Sequence, residues 1–292
     1  MSNKKKGILC LIASAFCFAL MNVFVRLSGD LPSIEKSFFR NFVAMIVAGI
    51  SIAKAGTGFS FAREDLPLLL GRAVCGTIGL LCNFYAVDHM FLADATAIQK
   101  LVPFITILAS CFLLKEKIRP WQLGLIGAAF LSSLLVVKPG FNVQPFPVFI
   151  QFVGALGAGI AYTLVRMLTL RGVAKPKIIF FFSAFSTLAV VPFIVMDFVM
   201  PDGWQLLMLL MTGVCASGGQ FAVTYAYSFA PASQISIYDY SQILFSAFFG
   251  MVFFGQLPDW MSWLGYGLLM GCALLNLMLQ RRQENKFGSS KL

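Results

Sequence analysis

Apolar residues run along this chain in ten stretches, and the polar residues between them gather in short connections. The stretches lie at about 8–27, 35–53, 67–87, 93–114, 121–138, 147–168, 177–199, 204–228, 231–254 and 261–279. A helix needs roughly 20 apolar residues to cross the hydrocarbon of a bilayer, so each stretch predicts one span. Pro32, Pro120, Pro139, Pro176, Pro201, Pro231 and Pro258 fall in or beside the connections, where a helix can end without losing a hydrogen bond. The spans take up most of the chain and leave no room for a soluble domain. The pattern predicts an all-α polytopic membrane protein with ten transmembrane helices.

Composition agrees with the pattern. Hydrophobic residues make up 59% of the chain and charged residues 12%, against roughly 25% charged in a soluble domain. Mean hydropathy is +0.85. The 292 residues could form one or two soluble domains by length alone, but such domains would lack a polar surface.

The net charge of +10 would suit a nucleic-acid partner, but its distribution points to a lipid bilayer instead. Lys4, Lys5, Lys6, Lys54, Arg63, Lys115, Lys117, Arg119, Arg171, Lys175, Lys177, Arg281, Arg282, Lys286 and Lys291 lie in alternate connections and at both ends. The opposite connections hold only Lys36 and Lys138, beside Asp30, Glu35, Asp88, Asp94, Asp197, Asp202 and Asp259. Fifteen basic residues against two is a positive-inside bias that places both termini in the cytoplasm and the chain in the cytoplasmic (inner) membrane. Trp121, Trp204, Trp260 and Trp263 open their segments, as an interfacial aromatic belt requires. The first stretch is too long for a signal peptide and has no small-residue cleavage site after it, so it reads as a retained span. The closing FGSSKL reads as an unstructured end.

The seven cysteines (Cys10, Cys17, Cys75, Cys82, Cys111, Cys215, Cys272) all lie inside spans, in odd number, which argues against a disulfide framework. His89 is the one histidine, and no CxxC occurs, so neither a metal site nor a cofactor is expected. No Ser-His, paired-carboxylate or metal constellation is present for a membrane enzyme, and no catalytic residue is assigned.

The fourth and fifth spans resemble the ninth and tenth. At an offset of 140 residues Leu92 meets Ala232, Pro103 meets Ile243 and Glu116 meets Gln256, and one inserted residue then sets Gly124 opposite Gly265. Both pairs run from a polar opening through a long helix and a short turn to a Trp and a Gly-rich helix. Five spans per half is an odd number, so the halves face the membrane in opposite directions, a plan that sets the substrate site near the midplane between them. The expected halves are residues 1–140 and 141–280, followed by a cytoplasmic tail at 281–292.

Polar side chains in hydrocarbon face a cavity or a partner, and here they recur at helical spacing on single faces. Ser14, Asn22 and Arg26 mark span 1; Arg72, Gly76, Gly79 and Asn83 span 3; Thr96, Lys100, Pro103 and Thr106 span 4. Gln151, Tyr162 and Arg166 mark span 6; Gln220, Thr224 and Tyr227 span 8; Asp239, Gln242 and Ser246 span 9. A central polar cavity lined by spans 1, 3, 4, 6, 8 and 9 follows. Spans 5 and 10 are left as outer scaffold, with Gly267 and Gly271 at GxxxG spacing and a homodimer through them as a candidate assembly.

The substrate-binding candidates are Asn22, Asn83, Lys100, Gln151, Tyr162, Gln220, Tyr238, Asp239, Tyr240 and Gln242. At ~1.5 Å rise per residue, Lys100 lies ~5 Å outside the middle of its span and Asp239 ~6 Å inside the middle of its own, too far apart to pair directly. Asp239 reads as part of one continuous helix, with Tyr238 and Tyr240 roughly 100° to either side as the walls of a groove. Either it binds a cationic group or a coupling proton, or it forms a structural pair with Arg72 or Arg166. Arg26 and Arg40 lie near the outer surface, to snorkel or to pair with Glu35. Pro103 would free a carbonyl one turn before it.

Three stretches then carry a resemblance. FALMNVFVRLSGDLPSIEKSFFRN, NFYAVDHMFLADATAIQKLVPFITILASCFLLKEKI and APASQISIYDYSQILFSAFFGMVFFGQLPDWMSWLGYGLL resemble the drug/metabolite transporter superfamily in its ten-helix EamA-type branch. The resemblance rests on Phe38-Phe39-Arg40, Pro103, Glu116, the Tyr238/Tyr240 pair and the turn ending at Asp259. It implies a 5+5 inverted repeat, a central cavity and alternating access for a small organic solute. Gln256 stands where a glutamate is usual, and Gln99-Lys100 is more polar than the family pattern. Substrates across the superfamily range from amino acids to nucleosides, drugs and S-adenosylmethionine. Lys100 and Asp239 favour a zwitterion, an amino acid or its derivative; a channel or a structural membrane protein is the alternative of another class.

Overall fold

A computed structural model describes residues 3–89, 95, 98–137, 145–196, 198–255 and 257–288, the side chains at 87, 88, 137 and 280–288 excepted. Leu92, Asp94, Thr96, Lys138, Pro139, Asp197, Gln256 and Lys291 therefore lie outside the described residues, with the side chains of Asp88, Arg281, Arg282 and Lys286. Among the described residues every regular element is helical. The helices are α1 (Asn3–Leu27), α2 (Ser33–Ala55), α3 (Leu66–His89), α4 (Val102–Leu114), α5 (Pro120–Val137) and α6 (Pro145–Leu170), then α7 (Lys175–Met196) and α8 (Gly203–Phe229). A short α9 (Ala232–Ile235), a 3-10 turn (Ser236–Tyr240), α10 (Ser241–Phe254) and α11 (Trp260–Gly288) complete the chain. Among the described residues eight helical segments are long and apolar enough to cross a membrane, with Ala232–Phe254 counted as one, and two apolar helices, Val102–Leu114 and Pro120–Val136, are shorter.

The predicted ninth span is corrected in one respect: it is not a continuous helix. The 3-10 turn interrupts it at Ser236–Tyr240, and the Ser241 hydroxyl donates to the Tyr238 carbonyl at 2.7 Å. Serine hydroxyls compete with the helical ladder for backbone partners, and SIYDYS has one at each end. The fourth span is interrupted as well. Lys100 and Leu101 form a turn, and Pro103 stands in the first turn of α4, where its missing N–H would have no intrahelical acceptor anyway. Pro103 thus starts a helix, and it frees no carbonyl inside one. At the C-terminus α11 runs to Gly288, so the first two residues of FGSSKL are helical.

Close helix approach depends on small residues. A Cβ on Gly157 of α6 would stand 2.6 Å from the Cys75 carbonyl oxygen of α3, and one on Gly213 of α8 would stand 2.5 Å from Val43 of α2. The α1/α8 seam is tied by Ser14, whose buried hydroxyl donates to the Gly219 carbonyl at 2.9 Å. Besides these contacts, α1 lies along α10, α3 along α7, α4 along α6, α2 along α7, and α5 along α11. In the last pair the contact glycine is Gly265, whose Cβ would meet Val136 at 2.6 Å. Gly267 and Gly271 have open space in place of a neighbour, so the GxxxG spacing is not used within the chain.

On the side of the basic connections, the α2–α3 connection is fastened to α6 and α7. Lys177 donates to the Ser60 carbonyl at 2.8 Å and Arg171 pairs with Asp65 at 3.7 Å. A cleft of about 290 Å³ lies between them.

Candidate functional site

The two interrupted spans meet. Lys100, in the turn before α4, is 5% exposed. Its ammonium donates to Gln242 Oε1 at 3.0 Å and lies 4.0 Å from Asp239 Oδ2. The Tyr240 hydroxyl donates to the Lys100 carbonyl at 2.8 Å, taking up an acceptor that an unbroken helix would satisfy internally. The expected separation of Lys100 and Asp239 is therefore overturned. Depth arithmetic on straight helices misses what the breaks do: they bring two backbones together, and lysine's four-carbon stem covers the remaining distance. Asp239 stays open, its side chain 26% exposed against 6% for Lys100.

Neither arginine is the partner of Asp239. Arg166 gives its Nε to Glu116 at 3.1 Å and its Nη1 to the carbonyls of Tyr227 and Ser228. Arg72 stacks its guanidinium 4.0 Å from the Phe182 ring centre. The alternative pairing of Arg40 with Glu35 is absent too. Glu35 accepts from the Val199 amide at 3.4 Å, and Arg40 lies toward the Phe18 ring.

The tyrosines depart from the expected groove. A 3-10 turn has three residues per turn, so Tyr238, Asp239 and Tyr240 point about 120° apart. Tyr238 is buried toward α11, where its hydroxyl donates to the Ala273 carbonyl at 3.4 Å and accepts from Asn276 at 3.3 Å. Tyr240 faces Lys100. Only Asp239 keeps a partly open side.

A second polar cluster adjoins the first through Gln99. The Gln151 amide nitrogen lies 3.0 Å from each of Asn83 Oδ1, Gln99 Oε1 and the Ala95 carbonyl. Tyr162 stacks on Tyr227 with ring centres 5.4 Å apart. Gln220 is buried, and its amide nitrogen has no hydrogen-bond partner. Asn22 is exposed on α1 and enters none of these hydrogen bonds. The fold thus joins Lys100, Asp239, Tyr240 and Gln242 in one cluster and Asn83 and Gln151 in another, and it sets Tyr238 and Asn22 apart. Gln99 and the Arg166–Glu116 pair belong beside the candidates. In the sequence, Arg166 stands out as a polar residue of an apolar span and Glu116 as a position of the family resemblance, with nothing to join the two. All seven cysteines are free and half-buried.

Packed apolar helices around an ion pair between two interrupted spans define a polytopic membrane protein. The model of the EamA-like transporter family matches residues 5–138 and again 146–278, and the chain belongs to that family. It is 33% identical over 279 residues to a pseudopaline exporter of Pseudomonas aeruginosa strain UCBPP-PA14, covering 94% of this chain and 96% of the relative. Human solute carrier family 35 member G1 is 26% identical, covering 87% of this chain and 74% of the relative. A riboflavin transporter of Rhizobium johnstonii is 22% identical, covering 96% and 93%. One solved crystal structure superposes with a TM-score of 0.82 at 15% identity, over 96% of this chain and 99% of that one; at that identity the likeness concerns the fold.

Proposed function

We propose that this protein is a secondary transporter that moves a small polar metabolite carrying charges of both signs, an amino acid or amino-acid derivative, by alternating access. The observation that carries this reading is the Lys100–Asp239 contact of 4.0 Å with its carboxylate partly open. At that separation the pair is loose, and a zwitterion can part it, giving its carboxylate to Lys100 and its ammonium to Asp239. A proton taken by Asp239 in place of the ammonium, on the return of the empty carrier, would couple transport to a gradient. Export is the favoured direction, because the relative at 33% identity is an exporter.

The proposed frame is two five-helix halves, 1–140 and 141–280, in inverted orientation with both termini cytoplasmic. It is supported by the two stretches that the family model matches and by pairwise packing that repeats five spans on. Span 1 packs on span 8 and span 6 on span 3; span 4 packs on span 6 and span 9 on span 1. A homodimer through spans 5 and 10 is part of the proposal. It draws on the open space at Gly124, Gly127, Gly267 and Gly271, which would let a second copy approach closely.

The test is counterflow in proteoliposomes loaded with a zwitterionic amino-acid derivative. Saturable exchange is expected in the wild type and its loss in Lys100→Met and Asp239→Asn. Flux that does not saturate and shows no exchange would mark a channel and end this reading.

A further inference from the structure

Two cations, Arg72 buried and Arg40 half-buried, are left over by the Lys100–Asp239 site. Among the described residues neither Arg40 of α2 nor Arg72 of α3 is in an ion pair. Nε of Arg40 and both Nε and Nη1 of Arg72 are buried without a hydrogen-bond partner. Arg72 is 3% exposed. The Phe182 ring holds its guanidinium by a cation–π contact but leaves its N–H donors unmet. Gly76, one turn further along α3, makes the room, because a Cβ there would collide with the Arg72 guanidinium and the Phe182 ring. Arg40 and Arg72 lie close enough to act on each other electrostatically.

The surroundings add further donors, and the acceptors beside them, the Tyr162 hydroxyl among them, are neutral. A narrow crevice is lined by Arg40, Asn41, Phe182, Ser183 and Gln220, and in this conformation it is too tight to admit water. Ser183 is 0% exposed and Gln220 5%, and the hydroxyl of the first and the amide nitrogen of the second have no partner. Asn41 is already engaged with Ser186 at 3.2 Å. Among the described residues, Glu35 accepts from the Val199 amide through Oε2 and Asp239 faces Lys100, and neither forms an ion pair with these arginines. Arg40, Ser183 and Gln220 thus bring unmet donors from three helices to the crevice, and Arg72 of a fourth stacks on Phe182, one of its walls. Leaving such groups unpaired is costly, and guanidinium forks match the paired oxygens of a carboxylate or phosphate.

We propose that Arg40 and Arg72, with Gln220 and Ser183, form an oxyanion subsite that takes a carboxylate or phosphate of the transported solute when the crevice opens. The solute then carries at least one acidic group beyond those of a simple zwitterion. This rests on the transporter reading above and deepens it.

The test uses the full-length purified protein in detergent at constant ionic strength, with melting temperature followed against citrate, inorganic phosphate and chloride. A saturable rise with citrate or phosphate and none with chloride is expected, since a ligand bound to the folded state raises the melting point. Arg40→Gln and Arg72→Gln should weaken that response at least about tenfold, the scale of a charge-assisted hydrogen bond. Arg72→Gln should also melt higher than the wild type without ligand, because a stranded charge has gone. Arg72→Lys should keep part of the response. A lowered ligand-free melting point with an unchanged response to anions would make both arginines structural and overturn the subsite, as would a wild type indifferent to both oxyanions. Should Arg72→Gln not fold, Gln220→Met removes a donor without touching charge; a weakened response supports the subsite and an unchanged one overturns it. Counterflow separates the two levels. Oxyanion binding through these arginines with no saturable exchange of any solute would sink the transporter reading alone. Equal exchange of anionic solutes by the wild type and both glutamine variants would sink the subsite alone.

Discussion

Tyr240 and Lys100 are 140 residues apart, the same offset that aligns the two halves of the sequence, and one hydrogen bond joins them at the breaks of their spans. Tyr240→Phe removes the donor and leaves a buried carbonyl unpaired, so a loss of about 1–3 kcal/mol is expected, read as a lower melting temperature. Asp239→Asn leaves the Lys100 ammonium with Gln242 as its only partner. Removing one member of a buried pair costs about 3–5 kcal/mol. The 4.0 Å separation and the 26% exposure of Asp239 reduce the expected loss to about 1–3 kcal/mol. The double variant Lys100→Met/Asp239→Asn should recover part of that loss in a double-mutant cycle. Full additivity there would show that the two side chains do not interact.

At the scale of the helices, glycines divide into those that hold two backbones together and those that face open space. Gly157 is of the first kind, because the atom its Cβ would meet is the Cys75 carbonyl oxygen at 2.6 Å, with the Gly79 nitrogen at 3.2 Å. Backbone atoms cannot rotate away, so Gly157→Ala should force α3 and α6 apart and cost about 1–3 kcal/mol. Gly267→Ala meets nothing within 4 Å in the chain, and the gain in helix propensity, about 1 kcal/mol, should leave the monomer as stable or more so. Melting curves of the two variants, measured side by side, check the contrast. Equal behaviour would mean that the α3/α6 seam is not packed as described.

For the whole molecule, the inverted arrangement predicts an orientation that labelling with an impermeant thiol reagent measures. On a background with the seven native cysteines replaced, Asp30→Cys, Asp202→Cys and Asp259→Cys should react from outside. Lys54→Cys, Lys117→Cys and Lys175→Cys should react only after the membrane is opened. Any exchange between the groups would remove the inverted arrangement, which needs an odd number of spans in each half.

The sequence by itself determined the helical class, the places of the spans and the family, because hydropathy and motif order are properties of each segment taken alone. A run of apolar side chains is expelled from water wherever it packs, and prolines and polar connections end it locally. It also marked Lys100, Asp239, Gln242, Gln151 and Asn83 as residues with a reason to be where they are, since polar groups in hydrocarbon need one. Which of them meet was left to the tertiary structure. The partners of Lys100, Gln151 and Arg166 lie 142, 68 and 50 residues away, and no local rule sets the approach of helices so distant along the chain. The breaks at Lys100 and at Ser236–Tyr240 moved that outcome furthest, because a helix assumed to be straight assigns each side chain a depth and a direction that a 3-10 turn changes. Arg40 and Arg72 show the same limit: a sequence shows two charges in apolar spans, and only packing shows that no described residue forms an ion pair with either.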